Sequence, residues 1–329
     1  MYDILNQPIQ IGKLTIKNRI VMAPMVVFHK KNDDGFVTPE YVRHYLTRAE
    51  AGVGLIICEA TCIAPEGRLL PYQLGLWTDE QIPGFGHIAD ACHVNGAAMV
   101  IQIHHSGRTV HPSVSSAPVG PVSEIHKDRQ ISALSEEGIE TLIDGFAQAA
   151  RRAAEAGADG VELHGCHGYM INQFTDPGTN TREDKWGGSF ENRMRFPRRI
   201  VEAIRKATPE DFLVTVRMPG GDPDTAEGCA LADAYMDMGI QALNVSFGIC
   251  SPPAPPDDFP GIGQAWLGAS IAAHVQHRLP VIAVGQLDDY TVAEAMVKDW
   301  DLDMVCIARG LLKDPGWARA ITGSVKISE

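Results

Sequence analysis

Polar and apolar residues alternate along this chain at the scale of whole elements. Eight apolar runs of strand length recur from end to end: RIVMAPM (19–25), VGLIICEA (53–60), AAMVIQIHH (97–105), GVELHG (160–165), FLVTVRM (212–218), ALNVSFG (242–248), PVIAVGQ (280–286) and DMVCIARG (303–310). They are near-continuous in Val, Ile and Leu, as strands buried on both faces are. Between them lie segments with helical spacing, among them 38–52, 135–157 and 189–207. Thr38 before Pro39, and Ser135, read as N-caps; the first two segments end at Gly52 and Gly157. Eight strand–helix alternations predict an α/β protein built as a parallel (β/α)8 barrel. An open doubly wound sheet would carry GxGxxG directly after an early strand, and none stands there. The Pro-rich stretch SPPAPPDDFPG (251–261) follows the sixth run and reads as a loop. No linker or low-complexity segment interrupts the pattern, so one domain over residues 1–329 is expected.

Composition narrows the function classes. With 45% hydrophobic and 21% charged residues the chain has enough apolar material for a real core. A formal charge of -13 argues against nucleic acid or an anionic membrane as partner. No apolar run reaches the ~18 residues of a membrane span, and the opening MYDILNQPIQIG lacks the basic and apolar regions of a signal peptide. The seven cysteines include no CxxC, and Cys58 and Cys62 have no second pair to complete a metal site. Reduced thiols, a cytoplasmic location and no bound metal are the expectation.

In a barrel of this kind the active site lies at the C-terminal ends of the strands. Those ends read Pro24-Met25, Glu59-Ala60, Gln102 to His105, His164 to Tyr169, Arg217, Ser246 to Gly248, Gly285 and Arg309. Polar and small residues at the tips of apolar strands are unfavourable for core packing, so their recurrence points to a site. Gly285 and Arg309-Gly310, each at a strand-to-helix turn of the last two strands, suit an anion such as phosphate. Arg217 ends an apolar strand, where a guanidinium needs an acceptor or an anion. With the amide of Gln102 nearby, a flat heterocycle with carbonyl and N–H edges, anionic on reduction, would satisfy both. His164, His167 and Tyr169 crowd three proton-handling groups into HGCHGY. A zinc site on the two histidines would need a third ligand, for which His104 or Glu59 would serve, but it would leave Tyr169 and Arg217 unexplained. Cys166 reads as a small buried residue rather than a redox thiol.

The blocks NRIVMAPM (18–25), GLIICEAT (54–61), IQIHHSGR (101–108), HGCHGYMINQFTDPGTNTREDKWGGSFENRMRF (164–196) and IARGLLKDP (307–315) resemble the Old Yellow Enzyme family of FMN-dependent ene-reductases. The likeness is greatest to its short bacterial NADPH dehydrogenase branch and runs from about residue 3 to about residue 322. The resemblance implies a TIM barrel that binds FMN, takes hydride from NADPH or NADH and reduces the C=C bond of activated alkenes such as enones, enoates and nitroalkenes. It implies that Ala23, Pro24, Met25, Val26, Ala60 and Gln102 contact the flavin ring and that Arg217 faces its N1/C2 carbonyl edge. Gly285, Ala308 and Arg309 would hold the phosphate. His164 and His167 would bind the substrate's activating oxygen, Tyr169 would donate the proton, and Phe28 would line the substrate pocket. A homo-oligomer is also implied.

The chain departs from the family at three places. Val26 stands where relatives carry a flavin-tuning cysteine or threonine, and Phe28 where the branch has a tyrosine. The sequence given stops at Glu329 without the branch's arginine-bearing tail. The alternatives are a flavin-dependent amine or alcohol dehydrogenase or an NAD(P)H oxidase on the same barrel, a metal-dependent hydrolase, and a flavin-binding sensory protein.

Overall fold

The computed structural model describes residues 2–27, 34–251 and 253–324. All eight apolar runs form strands: β1 (Ile20–Met22), β2 (Leu55–Cys62), β3 (Ala98–His104), β4 (Gly160–His164), β5 (Leu213–Pro219), β6 (Leu243–Ser246), β7 (Val281–Val284) and β8 (Met304–Ile307). Each pairs in parallel with the next, and β8 returns to β1, closing a barrel. The helices between them are α1 (Pro39–Glu50), α2 (Ile82–His93), α3 (Glu136–Glu155), α4 (Arg195–Ala207), α5 (Thr225–Asp237), α6 (Gly263–Val275) and α7 (Tyr290–Asp299). A barrel has two faces, and the residues sort onto them by the strand period of two. Ile56, Met99, Ile101, Val161, Leu163, Val214, Val216 and Val245 join the helix-facing core. Val21, Leu55, Ile57, Ala98, Val100, Leu213, Ile282 and Met304 form a second, interior cluster. Ile11 and Ile16 of a two-stranded hairpin (Ile9–Ile11 with Leu14–Ile16) belong to that interior cluster and plug the barrel at the N-terminal ends of its strands.

Local signals act as read, with two differences. Ser135 caps α3 by accepting from the Gly138 amide at 3.1 Å. Thr38 occupies the extended cap position before Pro39, but its hydroxyl donates to Glu40 instead, at 2.6 Å. The segment 189–207 breaks at Met194 into Phe190–Arg193 and α4. Pro197 explains it, because proline has no N–H to return to the carbonyl of Arg193. Between β3 and α3 the chain also forms a small sheet (Val119–Gly120, Glu124–His126, Arg129–Ala133) that the apolar pattern does not announce.

Candidate active site

The inward alternation continues from the apolar plug to the barrel's C-terminal mouth. There β3 to β6 supply Gln102, His104, Glu162, His164, Thr215, Arg217, Asn244 and Ser246, all buried. The opposite half of the mouth is small and apolar, with Ala23 after β1, Ala60 in β2 and Ala308 after β8. A register shift between Cys58 and Thr61 changes the alternation of β2. Cys58 packs in the helix-facing core, and the next residue, Glu59, bonds Tyr45 of α1: the Tyr45 hydroxyl donates to Glu59 Oε1 at 3.2 Å and receives the Glu59 amide at 3.0 Å. Two consecutive residues on one side of a strand are the mark of a bulge. Burial pushes the Glu59 carboxyl well above the usual range and keeps it neutral.

The mouth is therefore polar on one side and methyl-lined on the other. Its polar side has unmet hydrogen-bonding capacity: Gln102 Oε1, Asn244 Oδ1, Arg217 Nε and His164 Nδ1 are buried without a partner. Such atoms are unfavourable unless a ligand or water meets them.

His164 Nε2 and His167 Nδ1 face each other at 3.0 Å, and His167 Nε2 meets Ser246 Oγ at 2.8 Å. Ser246 Oγ also receives Gln264 Nε2 at 2.9 Å and Arg217 Nη2 at 3.4 Å. With both lone pairs engaged by those donors, the serine must spend its own proton on His167 Nε2. That fixes the His167 proton on Nδ1, the nitrogen facing His164. Burial and the nearby Arg217 guanidinium hold both imidazoles well below their ordinary pKa, so both are neutral at pH 7. Two nitrogens bonded to each other cannot both donate to a third atom at once. An oxygen seated between them would take the His167 Nδ1–H directly and the second N–H only after His164 carries its proton on Nε2.

The Tyr169 ring lies 4.7 Å from His164, 4.5 Å from His104 and 6.3 Å from His167, all edge-on. Burial pushes its phenol up to about 12, so it is a loaded acid at neutral pH. His104 is lowered to about 3 and His105 to about 4 by burial. Their bonds, to Ser106 Oγ at 3.1 Å and from the Gly107 amide at 3.0 Å, make them supports of the β3 loop.

The rest of HGCHGYMINQF holds this cluster in place. His167 has φ +62° and Gly168 φ +73°, a left-handed pair stabilised where Asn172 Oδ1 accepts the Gly168 amide at 2.8 Å. Asn172 Nδ2 donates to Asp222 Oδ2 at 3.2 Å, and Gln173 Nε2 to the carbonyls of Gly168 (2.7 Å) and Ser106 (3.0 Å). Further along, Asn180 Nδ2 bonds the Phe174 and Trp186 carbonyls, and Arg193 the Thr175 carbonyl and Glu227. Most of the specific 164–196 block thus serves to stiffen the long connection after β4.

At the other side of the mouth, Arg217, Gln264, Gly285, Asp288, Ala308 and Arg309 line a cavity of about 140 Å3. Gly285 has φ +138°, and a Cβ there would come within 2.9 Å of the Ala265 amide nitrogen.

The structure brings His164, His167, Tyr169, Gln102, Arg217, Gly285, Ala308 and Arg309 to one barrel end. Val26 and Met25, half-buried, follow β1 at the same end. Phe28 lies outside the described residues. Among the described residues, the third potential metal ligand near the histidines is Cys166, not His104 or Glu59: the ligand atoms of His164, Cys166 and His167 lie within 4.8 Å of one another. Cys166 is fully buried and its thiol is pushed up by desolvation, away from the thiolate a metal prefers. Glu162 and Asn244 were missed as site residues. Glu162 accepts Gln102 Nε2 at 2.7 Å and Asn244 Nδ2 at 2.9 Å. Their signal was a polar residue at an inward position of an apolar strand.

Residues 4–326 match the model of the NADH:flavin oxidoreductase / NADH oxidase family. The NADH oxidase of Thermoanaerobacter brockii is 39% identical over 323 residues, covering 94% of this chain but 49% of that protein, so the chain spans about half its length. The NADPH dehydrogenase of Halalkalibacterium halodurans is 36% identical over 313 residues, covering 93% of this chain and 90% of that one. The structure of the Old Yellow Enzyme homologue from Zymomonas mobilis superposes with a TM-score of 0.83 at 29% identity, over 99% of this chain and 94% of that chain. The chain belongs to the NADH:flavin oxidoreductase / NADH oxidase family, the family of Old Yellow Enzyme, whose members pair FMN with a nicotinamide donor.

Proposed function

We propose that this enzyme reduces the C=C bond of activated alkenes, with Tyr169 as proton donor. The supporting observation is the packing of neutral His164 and His167 against the protonated Tyr169 at the barrel mouth. The residues present fit FMN. Unpartnered Gln102 Oε1 and Arg217 Nε suit the polar edge of its ring, Ala23, Ala60 and Ala308 suit its faces, and the cavity at Gly285 and Arg309 suits one phosphate. When bound there, FMN supplies the hydride that it has taken from NADPH or NADH.

The protein's own groups do the rest. Hydride arriving at the β carbon drives an electron pair onto the activating oxygen, where the His167 Nδ1–H, fixed by Ser246, stabilises the negative charge. Tyr169 then gives its hydroxyl proton to the α carbon and recovers one from solvent. Arg217 places a positive charge where the electron-rich ring would sit.

The test separates the two half-reactions by stopped flow. Tyr169→Phe keeps the ring packing and removes only the proton, so reduction by NAD(P)H should stay within a few-fold of wild type. Reoxidation by an enone should slow by roughly 10²- to 10⁴-fold. An unchanged enone rate would overturn the assignment of Tyr169. A second reading, NAD(P)H oxidase, is favoured by the name of the Thermoanaerobacter relative. It predicts that oxygen consumes the bound electrons faster than any enone, enoate or nitroalkene in a panel.

A further inference from the structure

Glu162 stands in the middle of β4, 0% exposed, beneath the histidine cluster and facing into the barrel. A carboxyl group there is unfavourable unless it does something a neutral residue cannot. Its two oxygens are both engaged: Oε1 accepts from Gln102 Nε2 at 2.7 Å and Oε2 from Asn244 Nδ2 at 2.9 Å. The two amides come from β3 and β6, with β4 and β5 between them in the barrel order. Each primary amide has one donating and one accepting end. Because the carboxylate takes the NH2 ends of both, their carbonyl ends are what remain, and Gln102 Oε1 and Asn244 Oδ1 are buried without partners. A neutral glutamine in place of Glu162 would offer one acceptor and one donor, and one neighbouring amide would have to turn round to match it.

We propose that Glu162 is a positioning residue of the flavin site: by holding the NH2 ends of Gln102 and Asn244, it turns their carbonyls outward and makes this wall an acceptor for the imide N–H of the ring. The charge beside Arg217 has a second consequence. Arg217 lies one strand over from Glu162, and the guanidinium is the largest attraction opposing the desolvation of the carboxyl. Glu162 therefore gives the buried Arg217 guanidinium a counter-charge when no anionic ring is present. The inference rests on the placement of the ring's polar edge against Gln102 proposed above, and its test keeps the two apart.

The experiment measures dissociation constants of the apo-protein for FMN and for FMN methylated at the imide nitrogen, by fluorescence quenching. Four proteins are compared: wild type, Gln102→Leu, Glu162→Gln, and the exchange Glu162→Gln/Gln102→Glu. Wild type should prefer FMN over the methylated form. Glu162→Gln should bind FMN about 10- to 100-fold more weakly, the loss expected when a donor meets a donor in a buried site, and should lose most of that preference. The exchange variant moves the carboxylate from β4 to β3. Its inner oxygen accepts from the amide introduced on β4, and its outer oxygen again faces the ring as an acceptor. It should regain preference for FMN even if Glu162→Gln alone folds poorly, as judged by thermal unfolding. FMN binding to Gln102→Leu at the wild-type constant would sink the placement, and this inference with it. A weakened Gln102→Leu beside a Glu162→Gln that keeps both the wild-type constant and the preference would sink the inference alone. So would an exchange variant that folds but shows no preference.

Discussion

At the level of single residues, the chemistry of this site depends on which nitrogen holds which proton, and Ser246 settles that for His167. Its hydroxyl accepts from Gln264 and Arg217 and so has one direction left in which to donate. Ser246→Ala removes the donor and frees His167 to move its proton to Nε2. With FMN saturating, binding of a phenol, which mimics the enolate oxygen, is expected to weaken by roughly 3- to 10-fold, the worth of one buried hydrogen bond. Nitrogen NMR of labelled histidine should show the tautomer of His167 shifting in the same variant. A phenol affinity and a tautomer both unchanged would mean that the serine only fills space. The same counting explains what the sequence did and did not reveal. His164, His167, Tyr169, Arg217 and Gln102 announce themselves at strand ends. Glu162 and Asn244 sit within GVELH and ALNVS, where an apolar run hides the alternation between lumen and helix layer.

At the level of elements, the eight strands were legible because burial on both faces writes itself as unbroken Val, Ile and Leu, and all eight runs became barrel strands. The bulge in β2 was not, because one extra residue in an apolar run leaves no change of composition. The three-stranded insertion after β3 was invisible for another reason: its strands are two to five residues long, too short to show a period. The turn from β7 into α7 was read from its glycine, and the structure gives that glycine a physical requirement. Gly285 has φ +138° and lies against the first turn of α6. Gly285→Ala must strain its own backbone by roughly 1–3 kcal/mol or push α6, which carries Gln264. FMN affinity is expected to fall about 10-fold or more. Riboflavin, which has no phosphate, should be affected several-fold less. Equal losses for the two ligands would place the phosphate away from this turn.

At the level of the molecule, the barrel mouth concentrates buried ionisable groups, and their sum sets how the protein responds to acid. Among the described residues four buried imidazoles have lowered pKa values: His104 at about 3, His105 at about 4, and His164 and His167 well below the ordinary value. An imidazole that is neutral when folded and free to protonate when unfolded contributes stability that is complete above about 6.5. That contribution is lost as the pH falls toward the folded values, because the unfolded chain then binds the extra protons. Glu59, pushed well up by burial, acts in the opposite sense: the folded state holds its proton where the unfolded state does not, so that contribution is lost as the pH rises through its folded pKa. Four imidazoles against one carboxyl leave a net uptake of about three protons on unfolding between pH 6 and 5. At ~1.4 kcal/mol per proton and pH unit, the apo-protein should lose roughly 3–4 kcal/mol over that unit. Urea unfolding followed by circular dichroism at pH 7, 6 and 5 measures it directly. Replacing His105, which supports the β3 loop through its Nδ1, by Asn should flatten the slope by about a quarter to a half while keeping an acceptor for the Gly107 amide. Stability that stayed level or rose from pH 7 to 5 would mean that the four imidazoles already carry protons in the folded barrel.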